Sequence, residues 1–217
     1  MRVIVDPVGP GQESVWSYPR PAVAEPTRRR LGIVHRGVIV ASTQSGVRTL
    51  ETSHPPSYYF PPADVAPSVL RPSRRRSVCE WKGEAVYFDI VVEGEALRDV
   101  AWSYPDPNPA FRVLRDYVAF YAWPFDGCFV DDERVTPQPG NFYGGWITSD
   151  VAGPLQGRPR FPIMVTDEDV RDTPPGFPLR LLWAAFPGSR GAGNETEPPV
   201  CLRSTYATSA PKADFSY

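Results

Sequence analysis

The sequence predicts a mostly β protein of antiparallel sheets with one short helix, flanked by proline-rich N- and C-terminal extensions. Three observations lead there. Twenty-seven prolines and 17 glycines in 217 residues leave little uninterrupted length for helices. The chain is nevertheless 41% hydrophobic and 12% aromatic, which supplies a core and excludes a wholly disordered protein. Runs of β-branched and aromatic residues recur between turn signals, most clearly over Glu84–Val92.

Taken in order, residues 1–30 read as an arm. Its Val15-Trp16-Ser17-Tyr18-Pro19 stretch is expected to lie extended on a surface, and Arg28-Arg29-Arg30 closes it. Such a basic triplet is usually a solvated face rather than a phosphate contact. A core domain is expected over 31–153. Leu31–Arg36 and Val38–Ala41 form a hairpin turning at Arg36-Gly37, and a Gln44-Ser45-Gly46 turn leads into Val47–Glu51. Residues Asp64–Leu70 suit a short strand or turn, and Arg71–Arg76 a loop.

Glu84–Val92 turns at Glu93-Gly94-Glu95 and returns as Leu97–Trp102, with Val100 and Trp102 expected on one face. Asn108 is placed to cap a helix and Pro109 to open it. Phe111, Leu114, Val118 and Tyr121 then fall on one stripe of a helix of about 13 residues. Cys128–Val130 and Arg134-Val135 form a last hairpin around Asp131-Asp132-Glu133, acids that suit a turn tip better than a metal clamp. The glycine-rich Asn141–Ile147 segment is expected to bring backbone close to another element. Residues 154–217 read as an extension wrapped on the core, its last part mobile. The apolar segments Phe161–Val165 and Leu179–Phe186 would either cover the core or form a homodimer interface.

Net charge is −2, so no global field favours nucleic acid or an anionic membrane. No long apolar run suggests a signal peptide or a membrane span, and the chain reads as cytoplasmic. Cys79, Cys128 and Cys201 are isolated, without a CxxC pair, which argues against a disulfide framework and a structural zinc site. His35 and His54 supply no metal set, and no cofactor fingerprint is visible. All basic residues but Lys82 and Lys212 are arginine, a bias that suggests a GC-rich bacterial genome.

The most distinctive stretch is Glu51-Thr-Ser-His54-Pro-Pro-Ser-Tyr58-Tyr59-Phe60-Pro-Pro. Its prolines exclude helix and stiffen what reads as a loop. A stiff loop carrying a carboxylate, an imidazole and two phenols suits a pocket wall. It equally suits an aromatic plug on the open side of a β core.

Four motifs follow one another: this stretch, then Cys79-Glu-Trp81-Lys82-Gly83-Glu-Ala-Val-Tyr87, then Ala101-Trp102-Ser-Tyr104-Pro-Asp106-Pro107, then Tyr117-Val-Ala-Phe-Tyr121. In this order they resemble the bacterial domain-of-unknown-function family 427 over residues 31–153. The resemblance implies a β-tent of the Mss4-like type, two antiparallel sheets packed at an angle with a short helix. Other β-tent families often hold zinc through two CxxC pairs, which this chain lacks. The family is sometimes labelled nucleotidyltransferase, but Gly144-Gly145 is followed closely only by Asp150, not by the spaced aspartates that two-metal transfer needs.

If the motif residues converge, Glu51, His54, Cys79 and Lys82 become candidate catalytic groups. Tyr58, Tyr59, Trp81, Trp102, Tyr104 and Asp106 become candidate substrate contacts. His54 suits a general base and Cys79 a nucleophile if His54 or Lys82 activates it. Lys82, a lysine where arginine is the habitual choice, suits a group that must lose its charge or fit a tight pocket. Six tryptophans, ten tyrosines and 11 phenylalanines suit a flat aromatic ligand. The expected function is a biosynthetic enzyme acting on a small aromatic or heteroaromatic molecule by metal-free acid–base chemistry, of the cofactor-free oxygenase or isomerase type. A non-catalytic module binding a small molecule or peptide is the alternative.

Overall fold

The computed structural model describes residues 3–140 and 143–156. Six strands come first: β1 (Glu13–Ser14), β2 (Val23–Pro26), β3 (Leu31–His35), β4 (Val38–Thr43), β5 (Val47–Glu51) and β6 (His54–Phe60). Then follow β7 (Leu70–Cys79), β8 (Gly83–Val92), β9 (Glu95–Ser103) and β10 (Val118–Phe120). The last are β11 (Gly127–Val130), β12 (Glu133–Arg134), β13 (Thr136–Pro137), β14 (Trp146–Ile147) and β15 (Val151–Ala152).

A seven-stranded sheet runs β2-β5-β6-β10-β9-β8-β7, and a four-stranded sheet runs β12-β11-β3-β4. Both are antiparallel throughout, as the sequence predicts. The core lies between them: Leu31, Ile33 and Val130 from the smaller sheet meet Tyr58, Phe60, Ile90 and Phe120 from the larger, with Trp146 filling the gap. The expected hairpins form through two-residue turns. Arg36-Gly37 takes φ of 51° and 72°, and Glu93-Gly94 takes 48° and 82°, the left-handed pair that matches strand twist.

The aromatic–proline stretch is not a loop. It is β6, inside the large sheet. The missing N–H groups of Pro55 and Pro56 are tolerated because the register with β5 shifts there, between Thr49↔Ser57 and Glu51↔His54. On the other side β10 pairs only with Tyr59 and Phe60. Arg71–Arg76 is likewise part of a strand, β7, at the sheet's edge. An edge accepts Pro72, and its arginines discourage pairing with another chain.

The expected 13-residue helix is a six-residue 3₁₀ turn, Pro109–Leu114. Asp116 at φ 63° ends it, and the chain re-enters the large sheet as β10. The apolar stripe therefore splits: Phe111, Leu114 and Tyr121 pack on one side of the sheet, Val118 on the other. Asn108 makes no capping bond. Val100 also departs from expectation. It joins Ala101 in the inter-sheet core, whereas Trp102 faces away, because Asp99 at φ 54° sits in a register shift.

The basic and acidic triplets answer each other. Arg29 bonds Asp131 at 2.7 Å and also Asp150, and Arg30 bonds Asp132 at 2.8 Å. The end of the expected arm is part of the sheet, since β2 pairs with β5 over four residues. The expected mobile tail and its apolar segments lie outside the described residues.

Candidate functional site

Alternation along a strand sends neighbouring side chains to opposite faces. In β6, Tyr58 and Phe60 point into the inter-sheet core, while Pro55, Ser57 and Tyr59 face outward. Thr49 and Glu51 of β5, Trp102 of β9, Tyr87 of β8 and Ser77 and Cys79 of β7 face the same way. The outer face of the large sheet thus becomes the floor of a basin of about 560 Å³.

Of the residues picked from sequence, Glu51, His54, Tyr59, Cys79, Trp81, Lys82, Trp102 and Tyr104 line this basin. Two do not. Tyr58 is buried on the other face, 5.5 Å from Trp146 ring to ring, and burial pushes its phenol up to about 12. One strand cannot turn consecutive tyrosines to the same side. Asp106 is exposed and pairs with Arg115 at 3.1 Å.

The turn from β7 to β8 carries Glu80, Trp81 and Lys82 over one end of the floor. Two bonds from Asn108 hold it: its Nδ2 donates to the Trp81 carbonyl at 2.9 Å, and its backbone N–H to the Lys82 carbonyl at 3.0 Å. Gly83 follows at φ 99°, backbone that a side chain would strain. Trp81 Nε1 donates to Glu51 Oε1 at 3.2 Å, fixing the carboxylate at the rim. Arg20 lies 5.8 Å from the Trp81 ring centre.

Beneath this turn Lys82 is inserted beside Tyr59 and Cys79, its Nζ 5.8 Å from the centre of the Phe111 ring. Burial works against its charge, but the thiol and phenol neighbours, the Glu51 carboxylate and a hydrogen bond with Cys79 outweigh it and raise its pKa. The ammonium therefore keeps its charge. Burial raises the Tyr59 and Tyr104 phenols, and Tyr104 also bonds Cys79. Trp102 and Tyr121, 4.7 Å apart, and Tyr87 form an aromatic wall.

Across the basin stands His54, its ring 4.6 Å from Tyr143. Burial lowers its pKa, and Lys82 and Arg20 add to this against the pull of Glu51. Gln138 Nε2 approaches His54 Nδ1 at 3.2 Å. Gly144 closes the wall so tightly that a Cβ would collide with the Trp102 ring. This is the close approach that the glycine pair suggests.

Sequence reasoning missed Gln138, Tyr143, Gly144, Gln156 and Arg20, along with Thr49, Ser57 and Ser77 of the floor. Tyr87 and Tyr121 stood inside quoted motifs, but nothing local marks which way they face. Among the described residues, no three His, Cys, Asp or Glu gather as a metal-holding group. Among them, no helix is long and apolar enough to cross a membrane.

Fold and basin together define a two-sheet antiparallel β protein with an aromatic, polar-tipped hollow on one sheet face. The chain belongs to the family described as Domain of unknown function (DUF427), whose model matches residues 23–131. No curated protein is similar enough to count as a match.

Proposed function

We propose that the basin binds a small planar aromatic or heteroaromatic molecule bearing an anionic or enolisable oxygen, and acts on it by acid–base chemistry with the chain's own side chains. The observation that carries this is Lys82, which lines an aromatic basin beside Tyr59, Cys79 and Glu51, neighbours that favour its charged form. A fixed charge in a partly dry site stabilises negative charge developing on a substrate oxygen. Glu51 is the proton acceptor: its Oε1 takes the Trp81 N–H, and its Oε2 has no hydrogen-bond partner among the described residues. Trp102, Tyr121 and Tyr87 supply the faces against which a ring stacks. A cytoplasmic biosynthetic setting, with oxygenase or isomerase chemistry, is the reading that accords with this substrate class.

The test incubates aromatic carboxylates and enolisable aryl ketones with the protein in D2O and follows carbon-bound deuterium by NMR. Exchange by the wild type that is lost in Lys82→Met, with the fold intact by circular dichroism, is expected. Binding without exchange would replace the enzyme with a binding module. That second reading is favoured by one fact: both carboxylates lining the basin among the described residues are already engaged, Glu51 by Trp81 and Glu80 by Arg20. Neither binding nor exchange across the panel would sink both.

A further inference from the structure

We infer that Gln138 is a positioning residue that fixes the tautomer of His54, so that the basin is presented with an Nε2–H donor and selects ligands carrying an oxygen acceptor. The inference rests on the reading of the basin as a ligand site, and its first half stands apart from that reading.

Gln138 is 4% exposed, and its side-chain amide is bonded at both ends. The Gly145 backbone N–H donates to Oε1 at 3.2 Å. Nε2 donates to the Gln156 carbonyl at 2.8 Å. A rotated amide would set its oxygen against that carbonyl and its NH2 against the Gly145 N–H, so the orientation is settled by partners that cannot reverse their roles. The amide's second hydrogen then points to His54 Nδ1, 3.2 Å away.

Nδ1 must accept, and a neutral imidazole that accepts at Nδ1 carries its hydrogen on Nε2. The frame is itself braced. The Gln138 N–H donates to the Gly145 carbonyl at 3.0 Å, and the Gln156 N–H to the Ser53 carbonyl at 2.7 Å. Nε2 has no hydrogen-bond partner among the described residues. Lowering of the imidazole pKa by burial keeps the ring neutral.

His54 thus has no free lone pair for the general-base role its sequence setting suggests. It donates instead. With Lys82 on the same basin, the site offers two donors to oxygen. The ligand it fits is an aromatic carboxylate, phenolate or ketone rather than an aromatic amine.

The experiment is ¹⁵N NMR of histidine-labelled full-length protein near pH 8, simplified because the chain has only two histidines. The Nε2–H pattern is expected for His54, assigned by its loss in His54→Gln. Gln138→Glu, whose carboxylate accepts but cannot donate, is expected to move the proton to Nδ1 or to leave an imidazolium. An Nδ1–H pattern in the wild type overturns the inference whether or not any variant folds. So does an unchanged pattern in a folded Gln138→Glu. Titration with benzoate and with benzylamine follows on the wild type. A shift of the His54 Nε2 signal with benzoate alone supports acceptor selection. Equal or stronger response to benzylamine overturns it. No response to either, with the Nε2–H pattern present, removes the ligand reading and leaves the clamp standing.

Discussion

Tyr58 and Tyr59 are chain neighbours on one strand, yet they belong to different chemical worlds. The inner face of the large sheet, with Tyr58, Phe60, Phe120 and Ile90, is sealed by Trp146 and the smaller sheet. The outer face, with Tyr59, Trp102, Tyr104 and Tyr121, is as aromatic, but among the described residues it is covered over only part of its area, by the Pro109–Leu114 turn and residues beside it. Aromatic content is thus a poor guide to a binding surface. Among the described residues, what separates core from hollow is which face is covered, and polar tips concentrate on the less covered one.

The sharpest way to break this comparison is on the inner side. Trp146 is fully buried, touches Tyr58 and Phe60, and donates its Nε1–H to the Phe120 carbonyl at 3.0 Å. Trp146→Ala is expected to cost about 3–5 kcal/mol in urea unfolding. A loss below about 1 kcal/mol would show that the two sheets do not depend on it. Next is Gly144→Ala, whose methyl group meets the Trp102 ring. Overpacking of this kind costs about 1–3 kcal/mol, and the displaced indole should alter tryptophan fluorescence.

Asn108→Ala removes one bond to the turn that carries Lys82. About 1 kcal/mol of stability is expected to go, together with a larger loss of affinity for any anionic aromatic ligand. Unchanged affinity would mean that the turn holds itself. The smallest effect is the pH response of His54. Its folded pKa lies below the unfolded 6.5, so between the two values the unfolded chain binds the extra proton. Its contribution to stability is complete above 6.5 and is lost as pH falls towards the folded value. Comparison of midpoints for wild type and His54→Gln between pH 7.5 and 5 should show the wild type losing more.

Much of both sheets was legible because their hairpins carry Arg-Gly (smaller sheet) and Glu-Gly (larger sheet) turns and β-branched runs. The aromatic–proline stretch misled because two prolines normally exclude a strand interior. Nothing local tells that the partner strand shifts register opposite them. Along this strand the two faces differ: Tyr58 and Phe60 pack in the core, while Ser57 and Tyr59 face the hollow. The helix failed because a stripe at three- and four-residue steps also suits a short turn followed by a strand, and Asp116 at positive φ divides the two. Eight of the ten selected residues share the basin, since motif neighbours on adjacent strands converge. Gln138, between Pro137 and Pro139, offers no pattern at all. Its part depends on Gly145 and Gln156, which only the fold brings near.

The match to the family ends at residue 131, but the rim formed by Gln138, Tyr143, Gly144 and Gln156 lies beyond it. The floor with Lys82 and Tyr59 thus lies within the matched span, and the lip lies outside it. A fragment trimmed to that boundary would lose Trp146, the wedge between its sheets, along with Gln138, Tyr143, Gly144 and Gln156.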